Sequence, residues 1–213
     1  TRGLEWADFE CIAFNEINKD AADTFAANFP QSIRLQGDIK DALTDEVIEK
    51  TLRPILEQRG GLDLLCGGPP CQGYSGIGHR RTHKLDKKDI PTNHLFHEMI
   101  RAIEKLQPNV FLFENVEGIL SGKWIPSGQK GEIFRDVWNA FSSIEGYVAQ
   151  PQLLHAYGFG VPQNRPRVMI MGVKEEFAED LELPHFNPNQ MDKSYASQLR
   201  NNGGLFPKWN EED

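Results

Sequence analysis

The stretch that decides the fold runs from residue 62 to residue 75 and reads Leu62-Asp63-Leu64-Leu65-Cys66-Gly67-Gly68-Pro69-Pro70-Cys71-Gln72-Gly73-Tyr74-Ser75. Its first five residues are mostly apolar, as is typical of a buried strand. Two glycines and two prolines then predict a rigid, sharply bent turn. A cysteine, Cys71, follows that turn at once. In open α/β sheets ligands bind where strands end, so this turn is the first candidate for a functional site.

Apolar runs and amphipathic stretches alternate on both sides of this turn. Further strands are predicted at residues 9–14, 33–36, 110–113, 148–155 and 167–173, and helices at 20–28, 45–58, 94–106 and 132–142. Such alternation predicts an α/β fold with a largely parallel sheet. The last two strands have no long helix between them, so we expect an antiparallel pair at one edge of the sheet.

The composition excludes several classes of protein. The 213 residues are 39% hydrophobic and 25% charged, which is normal for a globular chain long enough to bury a core. No window approaches the ~18 apolar residues of a membrane span, and the first residues lack the pattern of a signal peptide. A formal net charge of -8 argues against a general nucleic-acid binder.

Cysteine usage favours a reducing, cytoplasmic setting. There are only three cysteines, Cys11, Cys66 and Cys71, and a small, odd number is not typical of a disulfide framework. Cys11 and Cys66 lie in apolar runs and are expected to be small apolar residues of the interior. Cys71 is different, because backbone N–H groups near a bent turn favour the nucleophilic thiolate. A small apolar cysteine in a tight turn is the alternative.

Polar residues also close other predicted strands. Glu16 and Asp38 end the first two strands, where an acid can accept hydrogen bonds from ribose hydroxyls or face a base; exposed strand-end acids are the simpler alternative. Glu114 follows four apolar residues and can donate a proton or hydrogen bond, or act as a salt-bridging carboxylate. Arg165 and Arg167 share a face of an extended segment and suit an anionic group, or form a surface pair.

A specific ordered set of these residues resembles the DNA (cytosine-5)-methyltransferases. The set consists of Glu16, Gly37-Asp38-Ile39, Pro69-Pro70-Cys71-Gln72-Gly73-Tyr74-Ser75, Glu114-Asn115-Val116 and Gln163-x-Arg165-x-Arg167. The match spans roughly residues 3 to 173. It implies a Rossmann-like, S-adenosylmethionine-dependent methyltransferase fold, in which a mostly parallel sheet carries an antiparallel edge pair.

The resemblance implies methyl transfer to C5 of a cytosine that has been flipped out of the base stack. The thiolate of Cys71 would add to C6, and C5 would then attack the methyl group of S-adenosylmethionine. Loss of the C5 proton would release the thiol and restore the ring. Glu114 would hold the N3 and N4 edge of the base. Arg167 would brace the base near O2, and Arg165 would support the site or a nearby phosphate.

The resemblance also assigns the cofactor and nucleic-acid contacts, and it implies no metal. Six residues would contact S-adenosylmethionine, the source of the product S-adenosylhomocysteine: Glu16, Ile17, Asp38, Ile39, Pro70 and Leu95. The first four would hold the adenosine half and the last two the methionine half. Many relatives carry an aromatic residue at the position of Ile17, so we expect weaker stacking on adenine. Five residues would contact double-stranded DNA: Gln72, Ser75, Arg80, Arg81 and Lys84.

The polar segment at residues 76–92 would be the mobile loop that closes over the flipped base. It holds five basic and two acidic side chains, a net charge of +3, which suits a phosphate backbone. A solvated loop is the alternative. We expect residues 1–180 to be a catalytic domain that lacks its first strand and Gly-rich loop. Residues 181–213 would be a linker and the start of a truncated target-recognition region.

The predicted function is that of a monomeric bacterial DNA (cytosine-5)-methyltransferase of a restriction-modification system. Three alternatives stay open at this point. The substrate could be tRNA instead of DNA, or the chain could be an inactive fragment that binds nucleic acid or cofactor. A thiol hydrolase that uses Cys71 is the third, and it would need a histidine base such as His155.

Overall fold

Helices and strands alternate along the chain in a computed structural model that describes residues 1–70, 86–159 and 161–178. The strands are β1 (Ala13–Glu16), β2 (Ile33–Gln36), β3 (Leu64–Gly67), β4 (Val110–Val116), β5 (Tyr147–His155) and β6 (Pro166–Lys174). The helices are α1 (Arg2–Glu5), α2 (Lys19–Asn28), α3 (Ile39–Ala42), α4 (Asp45–Val47), α5 (Arg53–Arg59), α6 (Phe96–Leu106), α7 (Glu132–Ser142) and α8 (Glu175–Ala178). The chain divides into two units, Thr1–Gly60 and Gly61–Asp213.

The first unit is built on a parallel pair of short strands. β1 and β2 run side by side with Glu16 opposite Gln36, so their carboxyl ends meet at one edge. The connection between them is α2, which begins where the side chain of Asn18 accepts a hydrogen bond from the amide of Ala21 (2.9 Å). The ring of Phe25 on α2 stacks on Phe14 of β1 at 4.1 Å and joins the helix to the sheet.

The second unit contains a four-stranded sheet in the order β3-β4-β6-β5. β3 and β4 are parallel, whereas β6 is antiparallel to both of its neighbours. The expected antiparallel edge pair, β5 with β6, is confirmed. The expectation of a largely parallel sheet is met only in part by the described residues, because the parallel pairs β1–β2 and β3–β4 lie in two separate sheets. Residues 156–165, which join β5 to β6, are too few for a parallel crossover of about a dozen residues or more. Since β6 lies between β4 and β5, the pair β4–β6 is antiparallel as well.

The core of the second unit lies on one face of this sheet. Every second residue of β4 is buried, namely Phe111, Phe113 and Asn115, because successive side chains of a strand point to opposite faces. The apolar faces of α6 and α7 supply fully buried partners such as Ile103, Phe134 and Phe141. Burial of each such side chain stabilises the folded state by about 1.5–3 kcal/mol. Glu114 therefore projects to the opposite face.

Local chemistry explains where the helices depart from the prediction. The predicted helix at 45–58 is divided into α4, a π-helical turn at Ile48–Leu52, and α5. Pro54 lies in the first turn of α5, the helix position that tolerates a missing N–H. Asp38 caps α3 rather than ending a strand, since its Oδ1 accepts from the amide of Lys40 (3.0 Å). The helix predicted at 94–106 begins at Phe96, after a 3-10 turn at Pro91–His94.

Two further expectations have different outcomes. Cys66 was expected in the interior, but it is exposed on β3, the first strand in the order of its sheet. Most of the polar segment at 76–92 lies outside the described residues, which resume at Asp86 with a 3-10 turn at Lys87–Asp89. Within the described ranges, none of the helices has the length and apolar character needed to cross a membrane.

Candidate active site

The centre of the candidate site in the second unit is a contact between β4 and β6. Nε of Arg167 lies 2.5 Å from Oε1 of Glu114, and both side chains are partly shielded, at 20% and 36% exposure. Nε of Arg167 makes no hydrogen bond to any group in the described residues. At this short distance, that means that its N–H bond does not point at Oε1 of Glu114. The contact is therefore an ion pair with little directional hydrogen bonding, and Nη1 of Arg167 donates instead to the carbonyl of Pro166 (2.7 Å).

The turn that follows β3 packs directly against Glu114. A Cβ added to Gly68 would lie 3.2 Å from Oε2 of Glu114, so glycine allows the carboxylate and the turn to approach closely. At the preceding residue, Gly67, an added Cβ would lie 2.6 Å from the sulfur of Met99. The turn thus sits between the buried α6 side chain and the carboxylate. Its position beside Glu114 depends on two consecutive glycines.

Asn115 ties the same turn to β4. Its Nδ2 donates to the carbonyl of Pro69 (3.3 Å), and its Oδ1 accepts from the amide of Val116 (2.8 Å). The side chain is buried, with the whole residue 3% exposed. Sequence reasoning included Asn115 in a motif without giving it a role. The available signal was an amide side chain next to Glu114 in a strand that was otherwise apolar.

The remaining predicted catalytic and DNA-contacting residues lie apart from this cluster or outside the described residues. Arg165 is exposed just before β6, and its backbone carbonyl accepts from the amide of Ala156 (3.3 Å). The structure therefore brings Arg167 to Glu114, and no contact between Arg165 and Glu114 is among the described interactions. Six predicted residues lie outside the described ranges: Cys71, Gln72, Ser75, Arg80, Arg81 and Lys84.

In the first unit, predicted cofactor residues gather at the carboxyl edge of β1 and β2. Glu16 ends β1, and its Oε1 accepts from the amide of Asn18 (2.8 Å). Asp38 follows Gly37, which adopts a φ of +95° that favours glycine. Ile17 is 67% exposed and Ile39 is half-buried. Two carboxylates beside exposed aliphatic surface fit the hydroxyls, the amine and the flat ring of an adenosine group.

The other two predicted cofactor residues belong to the second unit. Pro70 is exposed at the end of the turn after β3, and half-buried Leu95 precedes the first residue of α6. His155, the base that a thiol hydrolase would need, ends β5 and packs on Tyr157 at 5.0 Å. Both of its ring nitrogens are buried without a hydrogen bond in the described part of the chain. In the described residues no group of three or more His, Cys, Asp or Glu side chains could hold a metal ion.

An open cavity of about 340 Å³ also lies in the second unit, but it shares no residue with the Glu114 cluster. Its lining residues are Lys88, His94, Phe96, His97, Trp124 and Asp136. The rings of His94 and Trp124 stack at 5.1 Å, and the indole of Trp124 donates to Asp136 (2.6 Å). Burial and the neighbouring His94 lower the pKa of His97, against the opposing effect of Glu98. The rings of this cavity therefore pack on one another, and the hydrogen bonds of His94 and Trp124 go to the carbonyl of Lys88 and to Asp136.

Comparison with known proteins shows the family of the chain. The family model for C-5 cytosine-specific DNA methylases matches residues 1–207. The chain belongs to this family. The chain is similar to the type II methyltransferase M1.HphI of Haemophilus parahaemolyticus, with 34% identity over 175 residues, 81% of this chain and 42% of that protein. The type II methyltransferase M.NgoMIV of Neisseria gonorrhoeae is 32% identical over 191 residues, 88% of this chain and 52% of that protein.

A solved structure supports the same methylase fold. A candidate DNA modification methyltransferase encoded within an Escherichia coli prophage is 30% identical and superimposes with a TM-score of 0.58. The superposition covers 78% of this chain and 40% of that one. This methylase chain spans about half the length, or less, of the two relatives named above.

Proposed function

We propose that this chain carries the catalytic part of a DNA (cytosine-5)-methyltransferase that methylates C5 of a flipped cytosine. The observation that supports it most is the cluster formed by Glu114, Arg167 and the turn at Gly68–Pro69, two residues before Cys71. A carboxylate and a guanidinium beside a cysteine-bearing turn provide the groups that cytosine chemistry needs. Membership of the C-5 cytosine-specific DNA methylase family supports the same reaction.

Each residue of the cluster has a proposed task. The thiolate of Cys71 forms a bond to C6, and the electron pair moves to C5, which becomes nucleophilic. Glu114 hydrogen-bonds the N3 and N4 edge and offsets the charge that develops on the ring. Arg167 lies beside the carboxylate and braces the base near O2. Once C5 has used that electron pair to accept the methyl group and has then lost its proton to a base, expulsion of the Cys71 thiolate restores the aromatic ring.

We propose S-adenosylmethionine as the methyl donor, without a metal. When bound, it supplies an electrophilic methyl group and leaves as S-adenosylhomocysteine. Glu16 and Asp38 would bind the ribose hydroxyls and the adenine amine, and Ile17 and Ile39 would flank the adenine ring. The carboxylates and aliphatic side chains at the edge of β1 and β2 support this assignment. The assignment of Pro70 and Leu95 to the methionine half stays a prediction.

We propose double-stranded DNA as the substrate and a bacterial restriction-modification system as the setting, with a monomeric enzyme in the cytoplasm. The type II methyltransferase names of the relatives support this setting. The basic residues of segment 76–92, including Arg80, Arg81 and Lys84, would contact phosphates, and Gln72, Ser75 and Arg165 would contact the nucleic acid near the flipped base. Residues 181–213 would begin the region that selects the sequence.

Product analysis tests this function directly. Full-length protein is incubated with methyl-labelled S-adenosylmethionine and, in separate reactions, with mixed-sequence duplex DNA or tRNA. The nucleic acid is then digested to nucleosides and resolved by chromatography. We expect label in 5-methyldeoxycytidine from the duplex. Label found only in 5-methylcytidine from tRNA would show that tRNA is the substrate and DNA is not. Label in N4-methyldeoxycytidine would contradict methyl transfer to C5.

A further inference from the structure

The buried side chain of Asn115 continues a strand pairing that the backbone cannot continue. The parallel ladder of β3 and β4 ends with Gly67 opposite Phe113. The same register, continued by two residues, would set Pro69 opposite Asn115, but Pro69 has no N–H to donate to a ladder. The side-chain amide of Asn115 instead donates to the carbonyl of Pro69 at 3.3 Å. The turn is thereby held to β4 beyond the last backbone pairing.

Both ends of the Asn115 amide are used, which fixes its orientation. While Nδ2 binds the carbonyl of Pro69, Oδ1 accepts from the amide of Val116 at 2.8 Å. Because Asn115 is only 3% exposed, water cannot readily replace either hydrogen bond. Glu114 projects to the other face of the same strand and meets the turn at Gly68. Two adjacent residues of β4 therefore contact two adjacent residues of the turn.

We propose that Asn115 is a positioning residue, which sets the turn before Cys71 in register with Glu114. This inference rests on the proposed function, since it concerns the geometry between the nucleophile and the group that holds the base. A thiolate must approach C6 of a base whose N3 and N4 edge is fixed by Glu114. A small slip of the turn along β4 changes that approach while leaving the cofactor and duplex contacts in place.

A purely structural role for Asn115 predicts a different result, and the chain offers a matched control. Asn109 ties the start of the same two strands, because its Nδ2 donates to Asp63 (3.1 Å) and its backbone amide donates to Leu62 (2.7 Å). It lies at the opposite end of β4 from the turn. Loss of strand pairing in general would affect Asn109 and Asn115 variants alike, whereas loss of positioning would affect only Asn115.

The test compares N115D, N115A and N109A with wild type in the full-length protein. N115D keeps an acceptor for the amide of Val116 and loses the donor to Pro69; N115A loses both. The readout is release of tritium from C5 of labelled cytosine in a duplex without cofactor, which requires addition of Cys71 to C6 and its reversal. Duplex affinity, S-adenosylmethionine affinity and thermal unfolding are measured in parallel.

We expect both Asn115 variants to release tritium about 10- to 100-fold more slowly than wild type, with unchanged duplex and cofactor affinity. N109A should match wild type in this assay. A decrease no larger than that of N109A, or equal losses of exchange and of duplex binding, would overturn the proposal. If wild-type protein releases no tritium, it is the proposed function that fails.

A measurement on wild-type protein covers the case in which the Asn115 variants do not fold. The side-chain amide protons of Asn115 should exchange with solvent at least about tenfold more slowly than those of half-buried Asn109, because Asn115 is buried and bonded at both ends. Equal exchange rates at the two side chains would contradict the tie between Asn115 and Pro69, whatever reaction the protein performs.

Discussion

Arg167 reaches Glu114 diagonally across the ladder of β4 and β6. Glu114 is opposite Met169 and Arg167 is opposite Val116, so the two residues are offset by two positions and share a face of the sheet. Their side chains meet with Nε 2.5 Å from Oε1. The antiparallel placement of β6 beside β4 is therefore what brings a guanidinium from the last strand to a carboxylate that lies earlier in the chain.

Replacing Arg167 with alanine should remove most of the activity while the fold is retained. The guanidinium beside Glu114 is the group proposed to brace the base, and removal of one such preorganised donor lowers rates by about 10²- to 10³-fold. R167K should keep little of the wild-type activity, because the ammonium group of lysine lacks the planar fork of donors of a guanidinium. The measurement is the single-turnover rate of methyl transfer to a duplex.

The control for this variant is R101A. Arg101 forms an ion pair with Glu98 on α6 at 2.9 Å and is partly shielded in a similar way. Its loss should leave the single-turnover rate within about twofold of wild type, as expected for a weakly contributing partly exposed pair. Equal rates for R167A and R101A would show that Arg167 has no part in the reaction.

A methyl group added at Gly68 should slow the reaction without destabilising the protein. The new Cβ of G68A would lie 3.2 Å from Oε2 of Glu114, so the carboxylate must give way by a few tenths of an ångström. We expect about a tenfold lower single-turnover rate. G158A, where an added Cβ would meet nothing within 4 Å, serves as the control. A wild-type rate for G68A would mean that the position of Glu114 is not critical.

Tyr147 should make stability depend on pH at the alkaline end. Burial raises its pKa from 10.0 to about 12, and its hydroxyl donates to the carbonyl of Pro108 at 2.6 Å. The folded state therefore binds more protons than the unfolded state between these values. The stabilisation is fully present below about pH 10 and is lost as the pH rises through about 12.

Denaturant unfolding of wild type and Y147F tests this pH dependence. At neutral pH wild type should be more stable by about 0.5–1.5 kcal/mol, because Y147F leaves the carbonyl of Pro108 without this donor. The difference should shrink as the pH approaches 12. Y157F, at a tyrosine that is 59% exposed, should follow wild type throughout. A difference between wild type and Y147F that does not vary with pH would refute the linkage.

Much of the site was predictable because its chemistry depends on residue types at strand ends. Glu114 and Arg167 were predicted from an apolar run that ends in an acid and from arginines on an extended segment, and the structure brings the two together. Their joint role, however, depends on β6 lying between β4 and β5. Periodicity shows which faces of a strand are buried but does not give the order of strands in a sheet.

The contributions of Asn115 and Gly68 were not predictable for a related reason. A buried amide that bonds a carbonyl 46 residues earlier depends on the register of two strands, which is set by packing rather than by local sequence. The exposed position of Cys66 likewise follows from the register, because Cys66 pairs with Leu112 on the face of the sheet opposite the core, whereas Leu65 packs on the core. The apolar run correctly indicated a strand there, but it did not show which face of that strand is buried.

The most direct test of the central claim is covalent capture by Cys71. Full-length wild-type protein and C71A are each incubated with S-adenosylmethionine and a duplex that contains 5-fluorocytosine. Release of Cys71 requires removal of a proton from C5, and a base cannot remove the fluorine that stands in its place. The bond from sulfur to C6 therefore persists once the methyl group has been transferred. We predict a protein–DNA adduct that survives denaturing electrophoresis with wild type and is absent with C71A. No adduct with wild type, or an adduct of equal yield with C71A, would contradict the account.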